Sequence, residues 1–121
     1  MNFEQLQDKV LSWADDKDLL HAENAEKQFM KFIEEVFEFK TEFDYLVRIG
    51  EDPSECYSDY EQIETQENMK LEMGDIFVTL IILCEQLGID PVDCLGIGWL
   101  RRLIVLMQIM CSGWILRVIS R

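Results

Sequence analysis

Apolar residues recur at three- and four-residue steps over most of the chain, which predicts helices rather than strands. The first such run covers residues 2–20. A second run follows Asn24, a residue type that often caps a helix N-terminus, and continues for about seven turns to Gly50. The apolar stripe of this second helix consists of Phe29, Phe32, Ile33, Val36, Phe39, Phe43 and Leu46.

The segment GEDPSECYSDY (50–60) has the composition of a loop, and a third helix is predicted over 60–87. Its second half, IFVTLIILC (76–84), is apolar on nearly every side and rich in β-branched residues, so the run alone is also compatible with a buried strand. The residues that follow favour the helix. Gly88 is a typical helix C-cap, and Asp90 with Pro91 is a typical start for another helix.

A helix that is apolar all round needs cover on all sides, and a few short helices of one chain do not provide it. We therefore expect an all-α bundle of four to five helices that is completed by oligomerisation.

The charge of the chain narrows the classes of partner. Its formal net charge is −13, which disfavours binding to a nucleic-acid polymer but favours divalent cations. The four cysteines show no zinc spacing and His21 is the only histidine, so a zinc site and a histidine-based triad have no support. The N-terminus, MNFEQLQDKV, is polar and lacks an apolar signal region. We expect a cytoplasmic protein with reduced thiols.

The composition changes abruptly near residue 95. All 24 acidic residues precede Cys94, whereas four of the five arginines follow it, which suggests a domain over 1–95 and an atypical tail over 96–121. The apolar run 103–116 is short for a bilayer span, so a partner-binding helix is favoured over membrane contact. Such a change also fits a shifted reading frame after about Gly96; a divergent tail is the alternative.

Two pairs of acidic residues stand beside the apolar stripes. Glu35 and Glu38 are three apart on the second helix, and Glu72 and Asp75 are three apart on the third. If these helices pack antiparallel, four carboxylates converge, and such a set suits Mg²⁺, with Mn²⁺ as an alternative. Magnesium commonly shares its coordination shell with substrate phosphates. Acidic pairs on helices are more often solvated, and this alternative remains open for either pair alone.

KFIEEVFEF (31–39) and KLEMGDIFVTLIILCEQLGIDPVDCL (70–95) together resemble the EExxE…ExxD signature of MazG-like nucleoside triphosphate pyrophosphohydrolases. These proteins belong to the all-α pyrophosphatase superfamily, and the resemblance covers roughly residues 10–95. It implies cleavage of a nucleoside triphosphate between the α- and β-phosphates, in a homodimer or homotetramer, for the cleaning or adjustment of a nucleotide pool in a cell or a phage. The tail does not resemble the family's continuation.

The resemblance also implies roles for particular residues. Glu35, Glu38, Glu72 and Asp75 would hold Mg²⁺, while Glu34 would orient or deprotonate the attacking water. Three further residues are candidates for substrate binding, although each also has a purely structural interpretation. These are Lys31 and Lys70, as phosphate contacts or salt-bridged lysines, and Trp13, as a base-stacking or core residue.

Two other classes of function compete with this interpretation. One is a catalytically inactive helical dimer that acts as a binding module through its apolar tail. The other is a di-metal carboxylate oxidoreductase bundle, which is disfavoured because such bundles use ExxH pairs and none occurs here.

Overall fold

A computed structural model describes residues 1–52, 54 and 59–113, without the side chains of residues 59 and 60. Within this part of the chain all regular structure is helical and no strand occurs, so the all-α prediction is confirmed. The predicted loop residues 53 and 55–58, and the tail from residue 114 with its last two arginines, lie outside the described residues. The helices are α1 (Phe3–Asp16), a 3₁₀ turn (Ala22–Asn24), α2 (Ala25–Glu51), α3 (Asp59–Gln86) and α4 (Pro91–Cys111).

The chain forms two compact units, Met1–Gly88 and Ile89–Arg121. The first contains α1, α2 and α3, and the second contains α4. The boundary predicted from composition, after residue 95, therefore falls inside α4.

Helix α1 is fixed at both ends by local hydrogen bonds. The backbone N–H of Gln5 donates to Asn2 Oδ1 at 2.8 Å, and that of Asn2 donates to Gln5 Oε1 at 3.0 Å, which is a capping box. The helix ends at Asp16, four residues before the predicted end, because Asp18 adopts a left-handed conformation with φ of 58°. The Leu19 N–H then donates to the Ala14 carbonyl at 3.0 Å and closes the turn.

The later caps lie at their predicted positions. Asn24 directly precedes α2, but its backbone is helical and belongs to the 3₁₀ turn, and its side chain makes no cap hydrogen bond. Gly88 has φ of +70°, a conformation that favours glycine, and it follows the end of α3. Asp90 caps α4 by accepting a hydrogen bond from the Val92 N–H at 3.0 Å.

Helices α2 and α3 pack antiparallel. The Gln28 Nε2 donates to the Thr79 carbonyl at 3.1 Å near one end of the pair, and the Tyr45 hydroxyl donates to Glu61 near the other. The direction of packing assumed for convergence of the two acidic pairs is therefore the observed one.

The face of α2 that lies towards α3 differs from the predicted stripe. The residues of this face recur at alternating three- and four-residue steps, and some of those near its centre are polar. The predicted apolar arc is wider than the contact with α3, so only part of the arc is covered. The central members of the face are Gln28, Phe32, Glu35, Phe39, Glu42, Leu46 and Ile49, and Ile33 and Tyr45 beside them are half-buried. Three residues of the predicted stripe, Phe29, Val36 and Phe43, stay partly exposed, and Val47 lies on the same side of the helix. We call these four residues the α2 apolar edge.

The core of the first unit is small and lies mainly on the second half of α3. Four consecutive residues there are buried, so this stretch is covered on several sides, as its composition predicted. Gln86 joins α3 to the segment after α1 by donating from Nε2 to the Leu19 carbonyl at 2.6 Å. The buried apolar residues are Ala14, Ile49, Ile81, Ile82, Leu83 and Cys84.

Helix α4 has no buried residue in its described part. By length and composition it could cross a membrane, since it has 21 residues and reaches a mean hydropathy of 1.5, although these properties alone are weak evidence. Of the apolar segment predicted over 103–116, residues 103–111 form the last part of this helix, which begins at Pro91.

Candidate metal centre

The antiparallel packing of α2 and α3 brings three of the predicted acidic residues together. Glu35 and Glu38 lie on successive turns of α2 and Glu72 lies opposite them on α3. One carboxylate oxygen from each of the three lies within 4.8 Å of the other two. We call this group the carboxylate cluster.

Glu35 is the most deeply placed member of the carboxylate cluster. The residue is only 5 % exposed, because it lies within the packed face of α2 rather than on its flank. Its Oε1 lies 2.8 Å from the Nζ of Lys31, which is one turn earlier on the same helix. Its Oε2 is buried without a hydrogen-bond partner, and so is Oε2 of Glu72. Two buried acceptors therefore lack a donor, an arrangement that costs free energy unless a cation or donor satisfies them.

The charges of the cluster oppose one another. The negative charge of the nearby Glu35 raises the pKa of Glu38 above its ordinary value, and the charge of Glu72 acts in the same direction. The pKa of the Lys31 ammonium group is also raised, by its hydrogen bond to Glu35. For a lysine this shift stabilises the charged form. The cluster thus favours protons or cations.

The residues present fit a hard divalent cation. The donor set consists of carboxylate oxygens alone, which Mg²⁺ and Mn²⁺ accept, whereas zinc commonly takes histidine or cysteine ligands. The two orphaned oxygens of Glu35 and Glu72 supply an independent reason for a cation at this place, because they belong to buried groups without a partner.

Asp75, the fourth predicted ligand, does not join the cluster. It lies one turn beyond Glu72 on α3 and is exposed. Its side chain is one methylene shorter than that of glutamate, so its oxygens stay closer to their own helix. Glu34 points away from the packed face: its side chain is 59 % exposed and its Oε2 lies 3.5 Å from the Lys31 Nζ.

The other candidates for substrate binding lie apart from the carboxylate cluster. Lys70 pairs with Glu67 at 2.9 Å, and its side chain is 74 % exposed. Trp13 on α1 is 51 % exposed, so it is not a core residue within the described chain. Lys31 alone contacts a member of the cluster.

Sequence reasoning placed Glu35 on the flank of the stripe and so missed its burial, and it left a salt bridge of Lys31 open without naming Glu35 as the partner. The signal for the ion pair was present, because Lys31 and Glu35 are four residues apart and such residues are neighbours on a helix. The burial of Glu35 was harder to predict, since the broad apolar arc of α2 does not reveal which of its edges meets α3.

Comparison of the chain with protein-family models, with curated proteins and with solved structures finds no significant match.

Proposed function

We propose that the protein is a Mg²⁺-dependent nucleoside triphosphate pyrophosphohydrolase of the MazG-like class. It would cleave a ribo- or deoxyribonucleoside triphosphate between the α- and β-phosphates, with water as the nucleophile, to give the monophosphate and pyrophosphate. The observation that carries the proposal is the pair of buried, partnerless oxygens on Glu35 and Glu72 inside a three-carboxylate cluster. The family resemblance supplies the reaction.

In the proposed reaction the acidic residues have distinct roles. Glu35, Glu38 and Glu72 would hold the cation, and Asp75 is the family's further ligand. A bound Mg²⁺ neutralises phosphate charge and lowers the pKa of a coordinated water. Glu34, whose Oε2 lies 3.5 Å from the Lys31 ammonium, is the family's candidate for orienting that water, although its side chain points away from the packed face.

The candidates for substrate contact have different support. Lys31 has an ammonium group beside the cluster, which suits a phosphate oxygen. Trp13 exposes half of its surface, which suits stacking on a base. Lys70 is the weakest of the three, since it is already paired with Glu67.

The first prediction concerns Glu38→Gln, which removes the charge of a ligand while keeping its size. We expect pyrophosphate release from a panel of nucleoside triphosphates to require Mg²⁺ and to fall at least a hundredfold in this variant. The reason is that even a residue supporting a metal ligand typically contributes about 10- to 100-fold. The matched control is Glu26→Gln, on an exposed residue in the first turn of α2, which should keep the activity.

Either of two results would contradict the proposal. One is the absence of pyrophosphate release across the whole panel from protein shown to be folded. The other is equal activity of wild type and Glu38→Gln.

Self-association is part of the proposed function, in a homodimer or homotetramer in the cytoplasm. The α2 apolar edge supports it, because its four large side chains are each 37–49 % exposed along one side of a helix.

The second candidate function is a binding module that acts through α4. Ten large apolar residues of this helix are exposed, and its described part contains Arg101 and Arg102 but no acidic residue after Asp93. Folded protein that is silent towards every nucleotide but sediments with phospholipid vesicles would favour this candidate over the enzyme.

A further inference from the structure

Lys31 stands in an unusual relation to the carboxylate cluster. Its ammonium lies 2.8 Å from Oε1 of Glu35, the most buried carboxylate of the group, while its own side chain remains 49 % exposed. An exposed side chain thus reaches a buried charge from the edge of the site. Because the aliphatic stem of lysine is flexible, such a contact can break without rearrangement of the helix.

The charge balance of the cluster depends on this contact. Among the described residues, Lys31 is the one cation within ion-pair distance of Glu35, Glu38 or Glu72. Its ammonium occupies one oxygen of Glu35, and the other oxygen is buried and has no partner. A divalent cation that enters the cluster would therefore compete with the Lys31 ammonium for the carboxylate of Glu35.

We propose that Lys31 is a displaceable counter-ion of the metal centre. Its ammonium neutralises Glu35 while no divalent cation is bound, and it must leave Oε1 when a cation binds there. The inference rests on the metal-binding part of the proposed function. It gives Lys31 a positioning role in which the released ammonium becomes available to a phosphate oxygen of the substrate.

Two opposite consequences follow for a variant that lacks the ammonium group. Without the competing charge, the cluster binds a divalent cation more tightly. Without the counter-ion, however, the buried Glu35 has no partner in the metal-free protein, which is therefore less stable. A lysine with a purely structural role would lower stability but would not tighten metal binding.

The test measures Mn²⁺ affinity without nucleotide, by the loss of the free Mn²⁺ signal in electron paramagnetic resonance. Lys31→Met should bind Mn²⁺ about tenfold more tightly than wild type, a change of the size usual for coupling between two binding events. Lys31→Arg keeps the charge and should keep the wild-type affinity. Lys70→Met, which removes the same charge from the exposed pair with Glu67, is the matched control and should also bind as wild type does.

A thermal melt of the same variants supplies a second readout that also guards against misfolding. In EDTA, Lys31→Met should melt below wild type, and saturating Mn²⁺ should raise its melting temperature by more than it raises that of wild type. Unchanged or weaker Mn²⁺ binding by Lys31→Met, with wild type binding normally, overturns the counter-ion role alone. Absence of Mn²⁺ binding by wild type overturns the metal centre and the counter-ion role together.

Discussion

At the scale of single residues, the buried carboxylate of Glu35 is the feature that the described structure leaves least well satisfied. Its side chain is 7 % exposed, one of its oxygens depends on Lys31, and the other has no partner. Burying a carboxylate in this way costs free energy that a leucine at the same place would not cost. A cation bound as proposed above would offset this cost.

Glu38 makes the cluster sensitive to pH. Its pKa is raised in the folded protein, so the folded state retains a proton at pH values where the unfolded chain has released it. The stabilisation from this proton is present below the ordinary value of 4.5 and is lost as the pH rises through the raised value. In metal-free protein the melting temperature should therefore fall as the pH rises above 4.5.

Melting curves over a pH series in EDTA check this prediction. Because many acidic groups contribute to the pH dependence of the whole protein, the informative quantity is the difference between wild type and Glu38→Gln. The variant cannot ionise at this position, so its decline should be shallower, and Mg²⁺ should reduce the difference. Parallel curves for the two proteins would show that Glu38 does not interact with its neighbours as the structure indicates.

At the scale of helices, the sequence was most informative about where elements begin and end. The bounds of α2 and α3 lie within a residue or two of their predicted ends, because Gly50, Gly88 and the Asp90–Pro91 pair are strong local signals. The end of α1 was missed, since no glycine or proline marks the left-handed residue Asp18.

Which face of a helix packs was less predictable than its length. The apolar residues of α2 cover an arc wide enough to meet α3 along either of two edges, and local periodicity cannot choose between them. That choice decides the site: it buries Glu35 and leaves Phe29 and Phe43 partly exposed. The acidic pairs were therefore found from spacing alone, whereas the depth of Glu35 required the tertiary structure.

Gly88 offers a test of the backbone conformation just after the end of α3. Its φ of +70° is strained for any residue with a Cβ, so Gly88→Ala should lower the free energy of unfolding by about 1 kcal/mol. Gly74→Ala is the matched control in the interior of α3, where an added Cβ meets nothing within 4 Å. It should raise the free energy of unfolding by about 0.5–1 kcal/mol through helix propensity. Urea denaturation of both variants measures the two values, and a loss of stability in Gly74→Ala would contradict the open space around that residue.

At the scale of the whole molecule, exposed apolar surface is the dominant feature. The buried core of the described residues is small, while large side chains on α2 and on α4 remain accessible to water. In a chain with a net charge of −13, repulsion between copies opposes association, so any contact must bury enough apolar area to overcome it. The α2 apolar edge is the candidate for such a contact, because its members recur along one side of a helix of 27 residues.

Phe43→Glu should therefore weaken self-association, because it places a charge in the middle of the α2 apolar edge, which the proposed dimer or tetramer would bury. The matched control is Phe37→Glu, the same substitution on another side of α2, at a residue that is 66 % exposed. Sedimentation velocity over a range of protein concentrations should give wild type and Phe37→Glu a mass that is a multiple of 14.3 kDa, and Phe43→Glu a smaller mass at the same concentration. Both variants bear the same added charge, so general repulsion cannot explain a difference between them.

A wild-type protein that remains at 14.3 kDa at every concentration would contradict the proposed assembly. If both variants dissociate alike, the effect is not specific to the α2 apolar edge, and the proposal that this edge forms the interface is wrong.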